Sequence, residues 1–274
     1  MINIVIITAD SIRHNYFKIM LANNENINVL KTYVESNEQF ILETKNYDDN
    51  LNSVTDIHYG SRLNSEFDFF SDAINICKDK TNSIFIKHSE INEQSKINEI
   101  IDLNPELIVT YGCSIIQKQL IEYFKDRIIN IHLGLSPYYF GAGTNFHALA
   151  NNDFQCVGYT FMYMDEGIDT GEIIHQARAN IEPFDNPHQI GNRLIKNMTK
   201  DFIKLINNFD KLEEQVQPIN TSGKKYKVID ATEELIEVLY NNFQNNNVIE
   251  YLNHKSKKII DYPIITQNFM ECSD

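Results

Sequence analysis

Asn130 and His132 close an apolar run, and Asp169 follows further along the chain within Asp169-Thr170-Gly171. Side chains two residues apart on a strand point to the same face, so the amide and the imidazole can share one small space. An amide donor, an imidazole that titrates near neutrality and a carboxylate together suit acyl transfer. That chemistry needs donors for an oxyanion, a proton-transfer group and a carboxylate to orient it.

The elements that must position these residues are predicted by apolar, β-branched runs that alternate with helix-like stretches. We predict strands over 2–8, 28–34, 83–87, 107–111 and 127–132, and helices over 12–22, 66–77, 92–103 and 115–124. This alternation predicts an α/β fold, with a Rossmann-like, mostly parallel sheet and helices on both faces. Ligands of such sheets bind beyond the carboxyl ends of the strands, where Asn130 and His132 fall.

The second part of the chain reads as a long helix, a linker and a small appendage. Asn186-Pro187 is a good helix start, and Ile190, Leu194, Met198 and Phe202 form a core-facing stripe after it. The polar segment 213–223 reads as a linker, followed by a strand near 226–229 and helices near 233–243 and 248–254. We therefore predict a main domain over 1–212 and a small C-terminal α/β subdomain over 213–274.

Composition narrows the class of protein. The 274 residues are 42% hydrophobic and 23% charged, as in a globular chain, and no apolar run is long enough to span a membrane. The net charge of −14 disfavours nucleic acid as a partner. The chain opens directly on a strand rather than a secretory signal, so we expect a cytoplasmic protein. Its four cysteines show no metal-ligand spacing, and we expect neither a disulfide nor a metal.

The spacing of the two motifs resembles the folate-dependent formyltransferase family, which includes glycinamide ribonucleotide, methionyl-tRNA and sugar-amine N-formyltransferases. That family has an asparagine, then a histidine, a proline and a glycine at fixed distances. Asn130, His132, Pro137 and Gly141 keep all of these distances. The D-x-G segment ahead of a strand is matched by residues 169–171. The likeness covers about 2–202 and is strongest over 107–176.

The resemblance implies 10-formyltetrahydrofolate as the formyl donor and an amine as the acceptor. It also implies that Asn130 and a protonated His132 hold the oxyanion. Asp169 would orient His132, raise its pKa and help relay the proton that the amine loses. The pterin ring is expected against two loops, formed by Tyr111, Gly112, Cys113 and Ser114 and by Asp165, Glu166 and Gly167.

Several residues keep a second interpretation. Alone, His132 would be read as a structural histidine, Asn130 as a strand-end cap and Asp169 as part of an ordinary turn. Asp165 competes with Asp169 for the carboxylate role. The chain also departs from the family at Gly134 and Ser136, where serine and leucine are usual, and this difference bears on the support of the loop.

The acceptor is approached by elimination. The purine-pathway enzyme of this family binds the phosphate of glycinamide ribonucleotide with a glycine-rich turn after its first strand, and the same turn in this chain has no glycine. Asp10 and Ser11 read as helix caps here, although Arg13 or His14 can reach an acceptor anion. From Asn207 onward there are seven basic against eleven acidic residues, which argues against transfer RNA. A small amine remains. By analogy we favour the amino group of a nucleotide-linked amino sugar, then a siderophore precursor or another metabolite amine.

Two other classes of function stay open, together with a possible homodimer. A formyltetrahydrofolate hydrolase uses the same three residues with water as acceptor, but its family carries a regulatory domain before the first strand. A non-catalytic folate-binding module predicts a broken triad, whereas Asn130, His132 and Asp169 are all present. We therefore expect a transferase.

Overall fold

The computed structural model describes residues 1–36, 53–212 and 223–270. The first part alternates strands and helices: β1 (Ile2–Ala9), α1 (Ile12–Ala22), β2 (Ile27–Ser36), α2 (Val54–Ile76), β3 (Ser83–Lys87), α3 (Gln94–Leu103), β4 (Leu107–Tyr111), α4 (Lys118–Tyr123) and β5 (Ile128–His132). The second part holds β6 (Tyr139–Gly141), α5 (Thr144–Ala150), β7 (Gly158–Tyr163), β8 (Ile173–Arg178), α6 (Pro187–Ile206), β9 (Lys224–Tyr226), α7 (Glu233–Gln244) and α8 (Asn247–Lys258).

Seven strands form one sheet in the order β3-β2-β1-β4-β5-β7-β8. The four pairings among β1 to β5 are parallel, and β7 and β8 are added in antiparallel orientation. The predicted mostly parallel α/β sheet is thus confirmed. β5 lies where the strand direction changes, and it pairs Asn130 with Met162 and His132 with Thr160 of β7.

The two faces of the sheet carry separate apolar cores because side chains alternate along each strand. Ile4 and Ile6 of β1 point to the face covered by α1, α2 and α6, where Phe17, Phe70 and Phe202 are fully buried. Val5 and Ile7 point to the other face and pack with residues of α3 and α4, among them Ile97, Ile100 and Leu120. We call these the α1/α2/α6 face and the α3/α4 face.

The predicted element boundaries agree closely for the strands and less well for the helices. α2 begins at Val54, twelve residues earlier than the sequence predicts, and Ser53 caps it by accepting the Asp56 amide at 3.1 Å. The early turns contain Gly60, a poor helix former, so propensity alone hides them. Ser11 is the N-cap residue of α1, as predicted, but its hydroxyl contacts Nδ1 of His14 at 2.6 Å instead of a backbone amide.

The C-terminal segment packs onto the rest of the molecule. Its strand is β9, slightly earlier than predicted, and it pairs in parallel with β6. Further on, Ile265 exchanges hydrogen bonds with Gln176 on the outer edge of β8, where the Gln176 amide donates to the Ile265 carbonyl at 2.7 Å. Most of the predicted linker, 213–222, lies outside the described residues, so the boundary at 212 stays a prediction.

Other predicted features concern composition. Cys77, Cys113 and Cys156 are free thiols, and Cys272 lies outside the described residues. Across residues 1–36, 53–212 and 223–270, no group of three or more His, Cys, Asp or Glu side chains is placed to hold a metal ion. None of the helices in those ranges is long and apolar enough to cross a membrane.

The start of α6 provides a test of the fold. Asn186 accepts the amides of His188 and Gln189 at 3.0 and 2.9 Å, and Gln189 reciprocates on the Asn186 amide at 2.9 Å. We expect Asn186→Ala to lower the free energy of unfolding by about 1 kcal/mol, because two backbone amides in the first turn of α6 lose their acceptor. Urea denaturation followed by circular dichroism measures this. Asn241→Ala, on an exposed position inside α7, should be neutral or slightly stabilising.

Candidate active site

The amide of Asn130 is oriented by the neighbouring strand. Thr110 of β4 pairs with Asn130 of β5 and donates its hydroxyl to the Asn130 Oδ1 at 3.0 Å. The amide nitrogen therefore points away from the sheet, and it donates to Oδ1 of Asp169 at 3.2 Å. Because one atom of the amide accepts and the other donates, the hydrogen bonds assign its orientation.

His132 lies between two oxygen acceptors. Its Nδ1 is 3.3 Å from Oδ2 of Asp169, and its Nε2 is 3.1 Å from the carbonyl oxygen of Tyr139. The residue is only 6% exposed. A ring protonated on both nitrogens can donate to both oxygens at once, whereas a neutral ring leaves a lone pair facing one of them.

Asp169 is the residue on which these contacts converge. Its backbone is left-handed, with φ of +55°, and its Oδ2 also accepts the Gly141 amide at 2.8 Å. Asp165, the competing carboxylate, instead closes its own turn by accepting the Gly167 amide and the Thr170 hydroxyl, each at 2.9 Å. The structure thus brings Asp169, and not Asp165, to His132.

The two departures from the family pattern lie directly beside this group. A Cβ at position 134 would fall 2.4 Å from His132 Nε2 and 2.4 Å from the Thr144 hydroxyl, so glycine leaves room for both side chains. Ser136 is fully buried and donates its hydroxyl to the Asp169 carbonyl at 3.4 Å, a weak contact that leucine lacks. Both departures fit the observed positions of His132 and Asp169.

The close approach at Gly134 leads to a direct prediction. We expect Gly134→Ala to displace His132 or Thr144 and to lower kcat/KM by about tenfold or more, since small misplacements of a reacting group cost much of the rate. Steady-state kinetics measures this. Gly60→Ala is the matched control, because a Cβ there meets nothing within 4 Å. Unchanged kinetics in Gly134→Ala would show that the ring tolerates the added methyl.

The loop after β4 is held by a buried carboxylate. Glu35, at the end of β2 and 2% exposed, accepts the Ser114 amide at 2.6 Å, the Ser114 hydroxyl at 2.7 Å and the Ser89 amide at 3.1 Å. Gly112 in the same loop has φ of +65°. Burial, with the nearby Glu35 charge, raises the pKa of the Cys113 thiol, so this cysteine is a neutral neighbour.

Glu35 is a residue that the sequence did not indicate, and its role is testable. Both carboxylate oxygens of Glu35 accept hydrogen bonds, and Glu35→Gln replaces one of them by an NH2 donor. At least one of the Ser114 and Ser89 donors then loses its acceptor, so the loop should shift. We expect the KM for the formyl donor to rise by about tenfold, with a smaller change in kcat. Glu106→Gln is the control, because Glu106 accepts only the exposed Asn3 amide in the described contacts. An unaltered KM in Glu35→Gln would separate this loop from donor binding.

The α1/α2/α6 face supplies the opposite wall. Arg13 and Arg62 both donate to Oε1 of Glu66, at 2.9 and 3.0 Å. Nearby, the Tyr240 hydroxyl from α7 lies 3.1 Å from His58 Nδ1 and 3.2 Å from His188 Nε2. Burial, assisted by the charge of Arg62, lowers the pKa of His58 to about 3 and that of His188 to about 4, so both rings are neutral near pH 7.

The C-terminal segment contributes part of the cavity wall. Tyr226 of β9 stacks on His147 at 3.9 Å between ring centroids with an interplanar angle of 10°, and its hydroxyl accepts from Asn151 at 2.8 Å. The Ala142 amide donates to the Tyr226 carbonyl at 3.0 Å. Lys225 and Lys227 flank it on the wall of the same space.

These walls enclose a cavity of about 900 Å³. Its lining includes all the residues predicted from the sequence except Glu166: Asn130, His132 and Asp169, then Tyr111, Gly112, Cys113, Ser114, Asp165 and Gly167. Glu166 instead pairs with Lys118 at 2.8 Å on the exposed surface. The volume is at the upper end for small-molecule sites, so it is large enough for a cosubstrate and a small acceptor.

Other cavity residues were missed by the sequence reasoning. Arg62 and His58 lie in the early turns of α2 that were not predicted as helix, and Glu66 was placed at a helix start without a partner. Tyr226 was read only as part of a strand. Arg62 and Glu66 are one helical turn apart, a spacing that has meaning only once the helix is known. The contacts of Arg13 with Glu66 and of His147 with Tyr226 join residues far apart in the chain, so no spacing in a single sequence shows them.

Comparisons with known proteins place this geometry in context. A family model described as formyl transferase matches residues 53–206. Among curated proteins, the methionyl-tRNA formyltransferase of Ehrlichia ruminantium (strain Gardel) is 37% identical over 124 residues, which is 44% of this chain and 39% of that protein. The match thus spans about two fifths of the length of that relative.

Solved structures resemble the fold over a longer stretch. The phosphoribosylglycinamide formyltransferase of Anaplasma phagocytophilum aligns with a TM-score of 0.56 and 14% identity, over 83% of this chain and 98% of that one. A 4-N formyltransferase from Francisella tularensis aligns with a TM-score of 0.55 and 18% identity, over 87% of this chain and 86% of that one. These likenesses show a common fold.

Proposed function

The chain belongs to the formyl transferase family, and we propose that it transfers a formyl group from 10-formyltetrahydrofolate to a small amine. The observation that carries the proposal is the contact of Asn130 and His132 with the two oxygens of Asp169, at 3.2 and 3.3 Å, inside one cavity. This group combines an amide donor, an imidazole and a carboxylate where the parallel strands end.

The donor contributes an electrophilic formyl carbon, whose oxygen gains negative charge when the amine attacks. In this proposal the Asn130 amide and a protonated His132 stabilise that oxygen. Asn130 has a second N–H on Nδ2 besides the one given to Asp169. In this step the Nε2 hydrogen of His132 turns from the Tyr139 carbonyl to the substrate oxygen, since catalytic hydrogen bonds reach their working geometry only in the substrate complex.

Asp169 has two tasks in the proposed reaction. It holds His132 and Asn130 at fixed orientations, and the Gly141 amide at 2.8 Å fixes the carboxylate itself. It also takes part in relaying the proton that the amine loses as the new carbon–nitrogen bond forms and tetrahydrofolate leaves. We assign the loops at Tyr111–Ser114 and Asp165–Gly167 to the pterin ring; within the second loop the Glu166 side chain pairs with Lys118 on the exposed surface.

For the acceptor we propose the amino group of a nucleotide-linked amino sugar. The net charge of −14 repels a polyanion, and Tyr226 and its neighbours in the C-terminal segment narrow the cavity by lining one side of it. Both features suit a small molecule better than transfer RNA. A cytoplasmic location, a homodimer and a subdomain boundary at 212 remain predictions from the sequence.

The proposed function is tested by spectroscopic measurement of tetrahydrofolate release from 10-formyltetrahydrofolate. The acceptor panel contains nucleotide-linked amino sugars, glycinamide ribonucleotide, siderophore-precursor amines, methionyl-tRNA and plain buffer. We expect release that depends on a small amine. Equal release in buffer would indicate a hydrolase, and dependence on methionyl-tRNA would reassign the acceptor. If the protein neither releases tetrahydrofolate nor binds folate, formyl transfer is refuted.

Variants of the catalytic group test the assigned roles. We expect His132→Ala and Asp169→Asn each to lower kcat by about 10² to 10⁴, because each removes proton transfer or the orientation of the imidazole. Single-turnover measurements with saturating donor and acceptor check the chemical step. His254→Ala, at an exposed position of α8, should retain full activity. Full activity in either active-site variant would remove that residue from the mechanism.

A further inference from the structure

The wall formed by α1 and α2 contains a cationic pair that the proposed chemistry leaves unused. Oε1 of Glu66 accepts from Nη1 of Arg13 and from Nε of Arg62. The Glu66 side chain is 4% exposed, whereas those of Arg13 and Arg62 are 16% and 34% exposed. The carboxylate is thus buried behind two guanidinium groups, and both of these groups line the cavity.

The charges of this cluster do not balance. One carboxylate offsets one of the two guanidinium groups, so a positive charge remains on the cavity wall. The charge of Arg13, followed by burial, lowers the pKa of Arg62. Each guanidinium has five N–H donors, and Glu66 uses one from each.

The surrounding groups are polar but uncharged. His58 and His188 are neutral near pH 7 for the reasons given above, and His14 is also held neutral because burial lowers its pKa well below its usual range. The ring of Tyr111 packs edge-on against His14 at 4.5 Å. The positive charge of this wall therefore comes from Arg13 and Arg62.

The proposed pterin loops contact both faces of the sheet. The Tyr111 ring packs against His14 and Phe17 on the face of the cationic pair. Cys113 and Met164, in or next to those loops, pack into the core of the α3/α4 face. Arg13 and Arg62 belong to α1 and α2, which cover the other face. Asn130 and His132 lie at the strand end between them. A donor bound on the α3/α4 side thus leaves the arginine side for the acceptor.

We infer that Arg13 and Arg62 together bind an anionic group of the acceptor, a phosphate or a carboxylate, and so select anionic amines as substrates. This inference rests on the proposed function, since it names a class of acceptor for the same cavity. The two guanidinium groups provide paired N–H donors that suit the oxygens of either anion. Glu66 is the positioning residue that holds the two forks together.

The inference is tested first by binding, without any formyl transfer. Isothermal titration of the full chain with inorganic phosphate, pyrophosphate and succinate measures anion affinity. We expect at least one of these probes to bind and its affinity to fall about tenfold or more in Arg62→Gln, since a charge-assisted hydrogen bond is lost. Arg127→Gln is the matched control. Arg127 immediately precedes β5, donates to the Pro105 carbonyl and does not line the cavity.

Arg62→Lys controls for a loss of folding, because it keeps a positive charge beside the buried Glu66 while it removes the planar guanidinium group. Its circular dichroism should match the wild type, and its anion affinity should still fall. Binding of phosphate probes alone would assign a phosphorylated acceptor, and binding of succinate alone a carboxylated one.

Two results would overturn the inference. One is the absence of anion binding, or equal binding in the wild type, Arg62→Gln and Arg62→Lys. The other is weaker binding of 5-formyltetrahydrofolate in Arg62→Gln with anion affinity unchanged, which would place the glutamyl tail of the donor on this wall. In either case amine-dependent tetrahydrofolate release by the wild type would leave the proposed function intact, so the two can fail separately.

Discussion

The rest of the site depends on the hydrogen bonds that the carboxylate of Asp169 accepts. One of its oxygens accepts from Asn130, and the other faces His132 and accepts from Gly141. Gathering three groups on one carboxylate requires a residue that turns sharply into the site, and the left-handed backbone of Asp169 provides this turn. The buried Ser136 contacts the same turn through its hydroxyl, which donates weakly to the Asp169 carbonyl. The local strain of one residue is thus offset by several hydrogen bonds around it.

The sheet places these groups with little freedom. Thr110 and Asn130 are register partners on β4 and β5, so the amide is oriented by a strand neighbour rather than by a loop. β5 is also the last parallel strand before β7 reverses direction. The strand end that carries His132 is therefore flanked by rigid backbone on both sides, which suits a group whose geometry must be held closely.

Much of this arrangement could be predicted from the sequence because it is local or periodic. The ends of the first five strands follow from apolar runs, and the N-x-H spacing places two side chains on one face. Gly134 shows the limit of such reasoning, since its meaning depends on the distance from its absent Cβ to His132. The Arg13–Glu66–Arg62 cluster shows a second limit. Its members come from two helices, and the start of one helix was hidden by Gly60 and polar residues that tertiary packing holds in place.

The parallel pairing of β6 with β9 has a consequence for how the protein is made. β6 is a three-residue strand with Gly141 at its end, and its partner is synthesised more than eighty residues later. On the ribosome, the sheet and the Asp169 carboxylate can assemble while the cavity still lacks the wall that Tyr226 supplies. Until Tyr226 emerges, the backbone edge at β6 and the ring of His147 lack this cover, so this edge is open to wrong pairing during synthesis.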